Sequence, residues 1–421
     1  MYFSDPNIRY VTLGCLLLTS SAAVVGCFAF LRKKSLLGDA LAHAVLPGVC
    51  LGFLLAGAKN PVYLLAGAFV TGWLSVYAID AIVRHTKLKE DTAVGLVLSV
   101  FFGAGILLLT SIQQNGNAAQ SGLDHFLFGK AASLLREDVL VFGAVAVALV
   151  VAIVLFYKEM KLICFDENFA RAIGLPVRRL EWLLTSLTVL AVVTGIQAVG
   201  VVLMAAILIT PAAAARCWTN RLGVMVVLAA AFGGTAALTG TAVSFAAPAM
   251  PTGPWMVMTL FLIAMLSFGF APERGLVPRW LRQYRNRWQI AEDNLLKAFY
   301  RLGEQGQDFR SYYPASRLLE HRPVPASRLN RTLRRLRRDG YLRSNQAGWA
   351  LTSAGQRHGQ RITRLHRLWE LYLTQYLRIA PDHVHEDAEM IEHIITPEIE
   401  QKLQELLQYP QHDPHQTKIP D

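Results

Sequence analysis

Two short stretches of the sequence carry metal-binding residue types at helical spacing. In GDALAH, Asp39 and His43 are four residues apart, so both side chains lie on one face of a helix. In HEDAEMIEH, four such residues recur at i, i+4, i+7 and i+8, within one arc of a helix. These four are His385, Glu389, Glu392 and His393. Carboxylate and imidazole together form a mixed hard and borderline ligand set, which suits Mn²⁺, Fe²⁺ or Zn²⁺.

The two stretches lie in parts of the chain that differ in composition. Of the 421 residues, those before position 272 include 17 Lys+Arg and 12 Asp+Glu, net +5, and the rest include 24 and 18, net +6. The first part is apolar with clumped charges, and its apolar runs reach the roughly 20 residues that span a bilayer. The sequence therefore predicts an all-α polytopic membrane protein of about 8–9 transmembrane helices. A cytoplasmic, mainly α extension is expected to follow, with a winged helix and a helical dimerisation domain.

The apolar runs and the basic clumps between them predict the membrane topology. The candidate spans are 11–31, 36–57, 62–83, 92–111, 138–157, 180–197, 199–216, 222–245 and 253–271. The basic clumps lie at 32–34, 84–89, 158–161, 178–179 and at Arg216 with Arg221. All fall on one side if the N-terminus is outside, and the positive-inside rule makes that side cytoplasmic. The stretch 122–134 is too short and polar to span, and a re-entrant segment is expected there, with Asp124 and His125 as further polar candidates.

The sequence divides into four predicted regions. These are a transmembrane domain at 1–271, a basic juxtamembrane linker at 272–290, a winged-helix-like domain at 291–356 and a metal-binding and dimerisation domain at 357–421. The linker is rich in arginine and aromatic residues, as expected of a segment on anionic lipid headgroups. The five cysteines all lie in the first region, without paired spacing, and are interpreted as small apolar residues.

The Asp39 and His43 pair is expected inside the bilayer. At a rise of about 1.5 Å per residue, His43 lies roughly 12 Å beyond Ser35, where the predicted helix begins. Ionisable groups at that depth cost at least ~2.5 kcal/mol each, and they line a pathway or pair with each other. The pair is thus either part of an ion path or a mutually satisfied hydrogen bond that holds the helix packing.

A second notable stretch is FDENFARAIGLPVRRLEW, residues 165–182. The pattern predicts an amphipathic helix with four apolar residues on one face, Phe165, Phe169, Ala172 and Ile173, and Gly174 is a natural helix stop. An amphipathic helix between two spans either lies on lipid headgroups or docks a soluble partner.

Several motifs, in the same order, resemble the permease subunits of bacterial manganese, zinc and iron ABC importers. The motifs are SLLGDALAHAVLPGVCLG, LDHFLFG, FDENFARAIGLPVRRLEWLL and AVGVVLMAAILITPAAAARC, within about 10–271. The resemblance implies a permease in the bacterial cytoplasmic membrane that pairs with a second permease chain. It further implies that an extracytoplasmic binding protein delivers a divalent metal ion and that a separate ABC ATPase subunit hydrolyses ATP.

The resemblance also assigns residues within the membrane part. Asp39 and His43 would be the path ligands. The ATPase-coupling residues would be Asp166, Glu167, Phe169, Ala170, Arg171 and Gly174. Independently, the sequence contains no G-x-x-x-x-G-K-[ST] phosphate loop, so we expect no ATP site in this chain and no enzymatic activity of its own.

Beyond residue 290 the pattern predicts a winged helix-turn-helix. Leu329, Leu333 and Leu336 form an apolar stripe in an arginine-rich helix, and two short apolar runs around a turn predict a wing. The arginines proposed to contact DNA or lipid are Arg328, Arg331, Arg334, Arg335 and Arg338. Membrane lipids and the partner ATPase are the alternatives, and DNA is the less favoured partner for a chain anchored in a bilayer.

Residues 291–421 resemble the diphtheria-toxin-repressor and manganese-regulator family through LHRLWE, VHEDAEMIEH and DPHxxxIP. The resemblance assigns as ligands His366, Glu370, His385, Glu389, Glu392 and His393. Glu389 stands where manganese-responding members carry Glu, and the harder carboxylate favours Mn²⁺. The sequence departs from the family at Asn294, a ligand position, and at Lys297, where manganese regulators have Glu; Glu292 and Asp293 are the nearest substitutes.

Three functions follow for the tail. It is either a metal sensor that gates uptake, a membrane-tethered DNA-binding regulator, or a structural dimerisation module whose metal site has decayed. The first makes a divalent ion both the substrate and the regulator.

Overall fold

The structure, a computed structural model, divides into a membrane unit, 1–279, and a tail unit, 280–421. The residues that it describes are 6–57, 61–114, 129, 131, 134–246, 250–321, 325–379 and 395–420. Helices predominate in both units, and the described part of the tail adds one two-stranded sheet. The predicted fold class is confirmed.

Twelve helices make up the described part of the membrane unit. They are α1 Pro6–Leu31, α2 Ser35–Ala44, α3 Leu46–Ala56, α4 Pro61–His85, α5 Glu90–Gln114, α6 Arg136–Leu155, α7 Tyr157–Phe165, α8 Glu167–Ala172, α9 Val177–Val199, α10 Val201–Trp218, α11 Leu222–Ala246 and α12 Thr252–Phe270. Within the described ranges, nine segments are long and apolar enough to cross a membrane, with α2 and α3 together forming one of them. This number agrees with the upper end of the prediction.

The second span, predicted as one continuous helix, is broken in the middle. α2 ends at Ala44 and α3 begins at Leu46, with Pro47 in its first turn. Proline lacks a backbone N–H and fits the first turn of a helix but not its interior. A new helix therefore starts at this point, and the polar pair of GDALAH lies directly before the break.

α3 and α4 approach each other through glycine. A Cβ atom on Gly48 would lie 2.1 Å from the carbonyl oxygen of Gly67, and a Cβ on Gly67 would lie 2.2 Å from that of Gly48. Only residues without a side chain permit this approach. The contact fixes α3 against α4 immediately beyond the break.

α1 lies at the centre of the membrane unit. It packs against α6, α9, α10 and α11. Its side chains Val11, Cys15, Phe28 and several alanines are fully or almost fully buried, whereas many apolar residues of α5, α6 and α12 are exposed in the chain by itself. Exposed apolar surface on outer helices suits contact with lipid.

The tail unit contains five described helices and a hairpin. These are α13 Leu276–Gln305, α14 Ala315–His321, α15 Ala326–Arg338, β1 Leu342–Asn345, β2 Gly348–Leu351, α16 Ser353–Tyr376 and α17 Pro397–Leu406. The predicted linker 272–290 is therefore largely helical, as the first half of α13, and α16 crosses the predicted boundary at 356. Most of α13 belongs to the tail unit.

The hairpin is the predicted wing. β1 and β2 pair antiparallel from Leu342 opposite Leu351 to Asn345 opposite Gly348. The Oδ1 atom of Asn345 accepts hydrogen bonds from the backbone N–H groups of Ala347 and Gly348, at 2.9 and 3.1 Å, which closes the two-residue turn. The predicted stripe Leu329, Leu333 and Leu336 is buried in the core beneath it.

Candidate functional site

Asp39 and His43 lie in the last two turns of α2. Their side chains are close, with 3.7 Å between Oδ1 of Asp39 and Nε2 of His43. The Asp39 side chain is 51% exposed and that of His43 is 23% exposed in the isolated chain. The helical spacing therefore brings the two predicted path residues together, at a distance longer than a direct hydrogen bond.

The His43 ring packs against an aromatic ring of α5. It meets the Phe102 ring of α5 edge-on, with 5.0 Å between the ring centroids. Its Nδ1 atom is buried and has no hydrogen-bond partner. An orphaned buried polar atom is unusual and costs about 1–3 kcal/mol. The pair is thus not a self-satisfied structural hydrogen bond.

The gap between Asp39 and His43 suits a divalent ion. Metal–ligand distances are about 2.1 Å for oxygen and nitrogen, so one ion can contact two atoms that are 3.7 Å apart. Among the described residues no group of three or more His, Cys, Asp and Glu side chains is placed to hold a metal. The described part of the chain thus brings two potential ligand atoms together here.

The predicted coupling segment forms the short helix α8 with a defined cap at each end. Oδ1 of Asp166 accepts the backbone N–H of Phe169 at 2.9 Å, an N-cap hydrogen bond. At the other end Gly174 has φ +82°, a conformation that favours glycine. The N–H groups of Gly174 and Leu175 donate to the carbonyl groups of Arg171 and Ala170, both at 3.1 Å, which is the Schellman arrangement.

The apolar residues predicted to share one helix face are divided in the structure: Phe165 ends α7, Phe169 lies in α8, and Ile173 directly follows α8. Phe165, Phe169 and Ile173 are each more than half exposed, at 53–55%, whereas Ala170 is fully buried. We call these three exposed residues the apolar stripe. A cleft of about 800 Å³ beside α8 is lined by arginines of three segments, including Arg84, Arg171 and Arg178. An apolar stripe next to a basic cleft has the composition of a protein-docking surface.

Arg32 connects this surface to α1. Its guanidinium donates to the carbonyl oxygen of Ile163 at 2.8 Å and pairs with Glu167 at 3.1 Å and with Glu181. The Arg32 side chain is only 10% exposed. Sequence reasoning used the basic clump 32–34 for topology alone and missed this role. A buried arginine beside two carboxylates was not predictable from local sequence.

The arginine-rich helix α15 is exposed, but most of its predicted contact residues have partners inside the tail. Arg331 and Arg335 lie over the Trp288 ring, at 5.7 and 5.9 Å from its centroid. Arg335 also pairs with Glu292 at 2.6 Å. Burial raises the pKa of Glu292, and the Arg335 charge opposes that rise. Of the remaining candidates, Arg328 contacts α13 through the carbonyl oxygen of Arg287. Arg338 contacts Asp339 at the end of α15, and Arg334 is exposed.

Of the predicted tail ligands, His366 and Glu370 are described and lie together on α16. Nε2 of His366 is 3.0 Å from Oε1 of Glu370, and both side chains are almost fully buried. Their donor types suit Mn²⁺. Facing them from α13, however, is Lys297, whose Nζ lies 3.4 Å from Nδ1 of His366. Asn294, one turn earlier, is buried with an unpartnered Oδ1. The pair therefore fits a metal only if the lysine withdraws.

The other four predicted tail ligands, at 385–393, lie outside the described residues, as do Asp124 and His125. Their roles remain predictions from the sequence.

An ion-pair network around the buried side chain of Arg367 joins separate parts of the tail. Arg367 on α16 makes a two-pronged contact with Glu304 of α13, at 3.0 and 2.6 Å. It also donates to the carbonyl oxygen of Lys418 at 2.5 Å and lies 3.6 Å from Asp413. The sequence showed the DPHxxxIP pattern near the chain end without indicating that a single arginine ties it to two helices.

In the described part of the chain, nine segments able to cross a membrane and a broken second span with a carboxylate–imidazole pair are features of a multi-pass membrane permease. The chain belongs to the ABC 3 transport family, whose match covers residues 4–271. Residues 352–421 match a second family, the iron dependent repressor, metal binding and dimerisation domain. The permease and the repressor-like tail predicted from the sequence are both confirmed.

Curated relatives carry transport names. The manganese transport system membrane protein MntC of Bacillus subtilis is 42% identical over 381 residues, 90% of this chain and 87% of that protein. The zinc transport system membrane protein TroC of Treponema pallidum is 44% identical over 283 residues, 67% of this chain and 95% of that protein.

A solved structure matches the membrane part. PsaBC from Streptococcus pneumoniae, in complex with a Fab, aligns with a TM-score of 0.59 and 34% identity. The match covers 67% of this chain and 96% of that one. The protein is thus a permease of metal ABC transport with a fused repressor-like domain.

Proposed function

We propose that the chain is the permease subunit of an ATP-driven importer and that it passes Mn²⁺ between Asp39 and His43. The pair itself carries the proposal: a carboxylate oxygen and an imidazole nitrogen 3.7 Å apart, at the break of an apolar span. An ionisable pair in that position is expensive, and membrane proteins keep such groups for substrate pathways. The unpartnered Nδ1 of His43 supports a functional role over a packing role.

Two ligands from one chain make a weak site, which transport requires because a tightly held ion does not leave. A second permease chain would bring another Asp and His to the same path and complete the coordination. We therefore propose that the chain works as a homodimer or beside a homologous permease. Mn²⁺ is favoured over Zn²⁺ and Fe²⁺ by the name of the Bacillus subtilis relative, whose similarity extends over 90% of this chain.

The apolar stripe around α8 is proposed to receive a separate ATPase subunit. Phe169 of α8 is exposed together with Phe165, the last residue of α7, and Ile173, which follows α8, and α8 itself is capped at both ends. Such a helix is a preformed surface for a groove on a partner. The basic clumps on this side support a cytoplasmic location, which places the N-terminus and the delivering metal-binding protein outside.

We propose that the tail reports cytoplasmic metal to the permease. The match to a metal-binding repressor domain and the buried His366–Glu370 pair support this role. A tail that binds metal can bias a permease only through different metal affinities in its two states. DNA binding has weaker support, because Arg335 and Arg331 are held by contacts within the tail.

A reconstituted system tests the transport proposal. The chain, its ATPase and its binding protein are placed in proteoliposomes, and radioactive Mn²⁺ uptake is followed with and without ATP. We expect ATP-dependent uptake in which Mn²⁺ outcompetes Zn²⁺ and Fe²⁺. ATP-independent uptake, or no uptake of any of the three ions, would refute the proposal, and stronger competition by Zn²⁺ would reassign the substrate.

A further inference from the structure

The most unusual group in the tail is a buried lysine beside predicted metal ligands. Lys297 is 2% exposed, and His366 and Glu370 are equally hidden. Lysine is almost never buried without a partner, because desolvation of its charge is costly. Here its ammonium lies 3.4 Å from Nδ1 of His366. A cation of the chain itself thus occupies the neighbourhood in which a metal ion would be expected.

Both nitrogen atoms of the imidazole already face groups of the chain itself. Nδ1 of His366 lies 3.4 Å from Nζ of Lys297, and Nε2 lies 3.0 Å from Oε1 of Glu370. A metal ion needs a free lone pair on an imidazole nitrogen. In this arrangement the lysine stands beside one nitrogen and the glutamate beside the other.

The first tail helix supplies no carboxylate at Asn294, a ligand position in the regulator resemblance, or at Lys297, where manganese regulators have Glu. Asn294 is neutral, and Lys297 brings a positive charge. A divalent ion beside the ammonium would meet repulsion between like charges, which is stronger in a buried, low-dielectric site than in water. Metal can therefore reach His366 and Glu370 only when the lysine side chain moves away.

We propose that Lys297 is a built-in cation that holds His366 and Glu370 in the metal-free tail and competes with metal for them. The lysine keeps the pair ordered without metal and raises the metal concentration at which the tail responds. A feedback sensor with such a competitor stays silent at low metal, when import is needed. This inference rests on the proposed sensing role and names the residue that sets its threshold.

The test measures Mn²⁺ affinity by titration calorimetry on the purified full chain in detergent. All samples carry Asp39→Ala and His43→Ala, so that the path pair does not contribute heat. In this background Lys297→Gln removes the charge, Lys297→Arg keeps it, and Lys402→Gln, an exposed lysine on α17, is the matched control. We expect about tenfold or more tighter binding for Lys297→Gln alone, and no such gain for the other two.

A further variant ties the gain to the predicted ligands. Adding His366→Ala to Lys297→Gln is expected to abolish the gain. If the tail with Lys297 and the tail with Lys297→Gln bind Mn²⁺ with equal affinity, the inference is wrong while the sensing role stands. The same conclusion follows if the gain in Mn²⁺ affinity from Lys297→Gln persists after His366→Ala is added. If none of the variants binds Mn²⁺ at the tail, the sensing role fails and the inference falls with it.

Folding provides a second readout. Without metal, we expect Lys297→Gln to lose hydrogen-exchange protection in α16 and to regain it when Mn²⁺ is added. In the tail with Lys297 unchanged, α16 should have equal hydrogen-exchange protection in the presence of Mn²⁺ and in the presence of a chelator that keeps the metal concentration low. Loss of protection in the unsubstituted tail on chelation would show that metal, and not Lys297, orders the pair.

Discussion

Nη1 of Arg32, directly after α1, lies 3.1 Å from Oε2 of Glu167 in the short helix α8. The same guanidinium holds Glu181 of α9 and the carbonyl oxygen of Ile163 in α7. One mostly buried side chain therefore joins the central helix of the permease to the surface on which we expect the ATPase to bind. Movement imposed on α8 would be transmitted directly to α1 through this contact.

Replacing Arg32 should uncouple the two partners. Arg32→Ala leaves Glu181 without its cation and Glu167 with Arg171 alone, at a cost of about 1–3 kcal/mol, and it breaks the contact between α8 and the end of α1. We expect ATP hydrolysis to continue in the assembled transporter while ATP-driven Mn²⁺ uptake falls severalfold. Arg32→Lys retains the charge but not the forked geometry, and should give an intermediate rate. Equal uptake by all three proteins, at equal membrane levels, would remove Arg32 from the coupling route.

The apolar stripe should determine the affinity for the ATPase. Phe169 is 53% exposed, and truncation to alanine removes apolar area worth about 1–3 kcal/mol when buried in an interface. We expect Phe169→Ala to weaken ATPase binding by roughly tenfold or more. The measurements are co-purification and titration of the ATPase onto the immobilised permease, both in detergent. Phe261 of α12 is similarly exposed, at 57%, and serves as the matched control. Comparable weakening by Phe261→Ala would point to a general packing defect.

Arg367 should be the most sensitive residue of the tail. Its side chain is 5% exposed, and its removal leaves the buried Asp413 and part of Glu304 unpaired. The expected loss is about 3–5 kcal/mol, seen as reduced hydrogen-exchange protection of α13 and α16 in the full chain. Arg361, whose side chain is 47% exposed in its 3.3 Å pair with Glu400, should lose only about 0–1 kcal/mol as alanine. Equal losses of hydrogen-exchange protection in Arg367→Ala and Arg361→Ala would contradict this prediction.

Asp308, in the loop after α13, should give the tail a pH-dependent component of stability. Hydrogen bonds from the N–H of Arg310 and the hydroxyl of Ser311 lower the pKa of this carboxyl from its ordinary value of 3.8. Because the pKa is lower in the folded state, the stabilisation is present above 3.8 and is lost as the pH falls through the folded-state value. Asp308→Asn should flatten that part of the acid unfolding curve. An unchanged curve would show that the loop does not hold the carboxylate.

The membrane topology was largely predictable because hydropathy dominates it. Nine apolar runs gave nine crossing segments in the described residues, and the i, i+4 spacing of Asp39 and His43 brought these side chains together. The only sign of the break in the second span was Pro47. The high average hydropathy of 36–57 favoured a single span despite this proline. Gly174 was correctly expected to end a helix, since a left-handed residue is required there.

Long-range ionic contacts were not predictable in the same way. Arg32 meets residues more than 130 positions away, and Arg367 meets Glu304 from 63 positions away. Such pairs depend on tertiary packing, and the local pattern of residues in the sequence does not predict them. Lys297 was noticed as a departure from a ligand pattern, but its burial against His366 required the fold.

The central claim, that metal passes between Asp39 and His43, is tested most directly by uptake in vesicles. Asp39→Asn removes the anionic carboxylate and His43→Gln removes the imidazole nitrogen, whereas Asp91→Asn and His85→Gln change exposed residues of α5 and α4. We predict that initial Mn²⁺ uptake falls by roughly tenfold or more for each of the first two variants and stays unchanged for the controls. Uptake at the unsubstituted rate by both Asp39→Asn and His43→Gln would contradict the account.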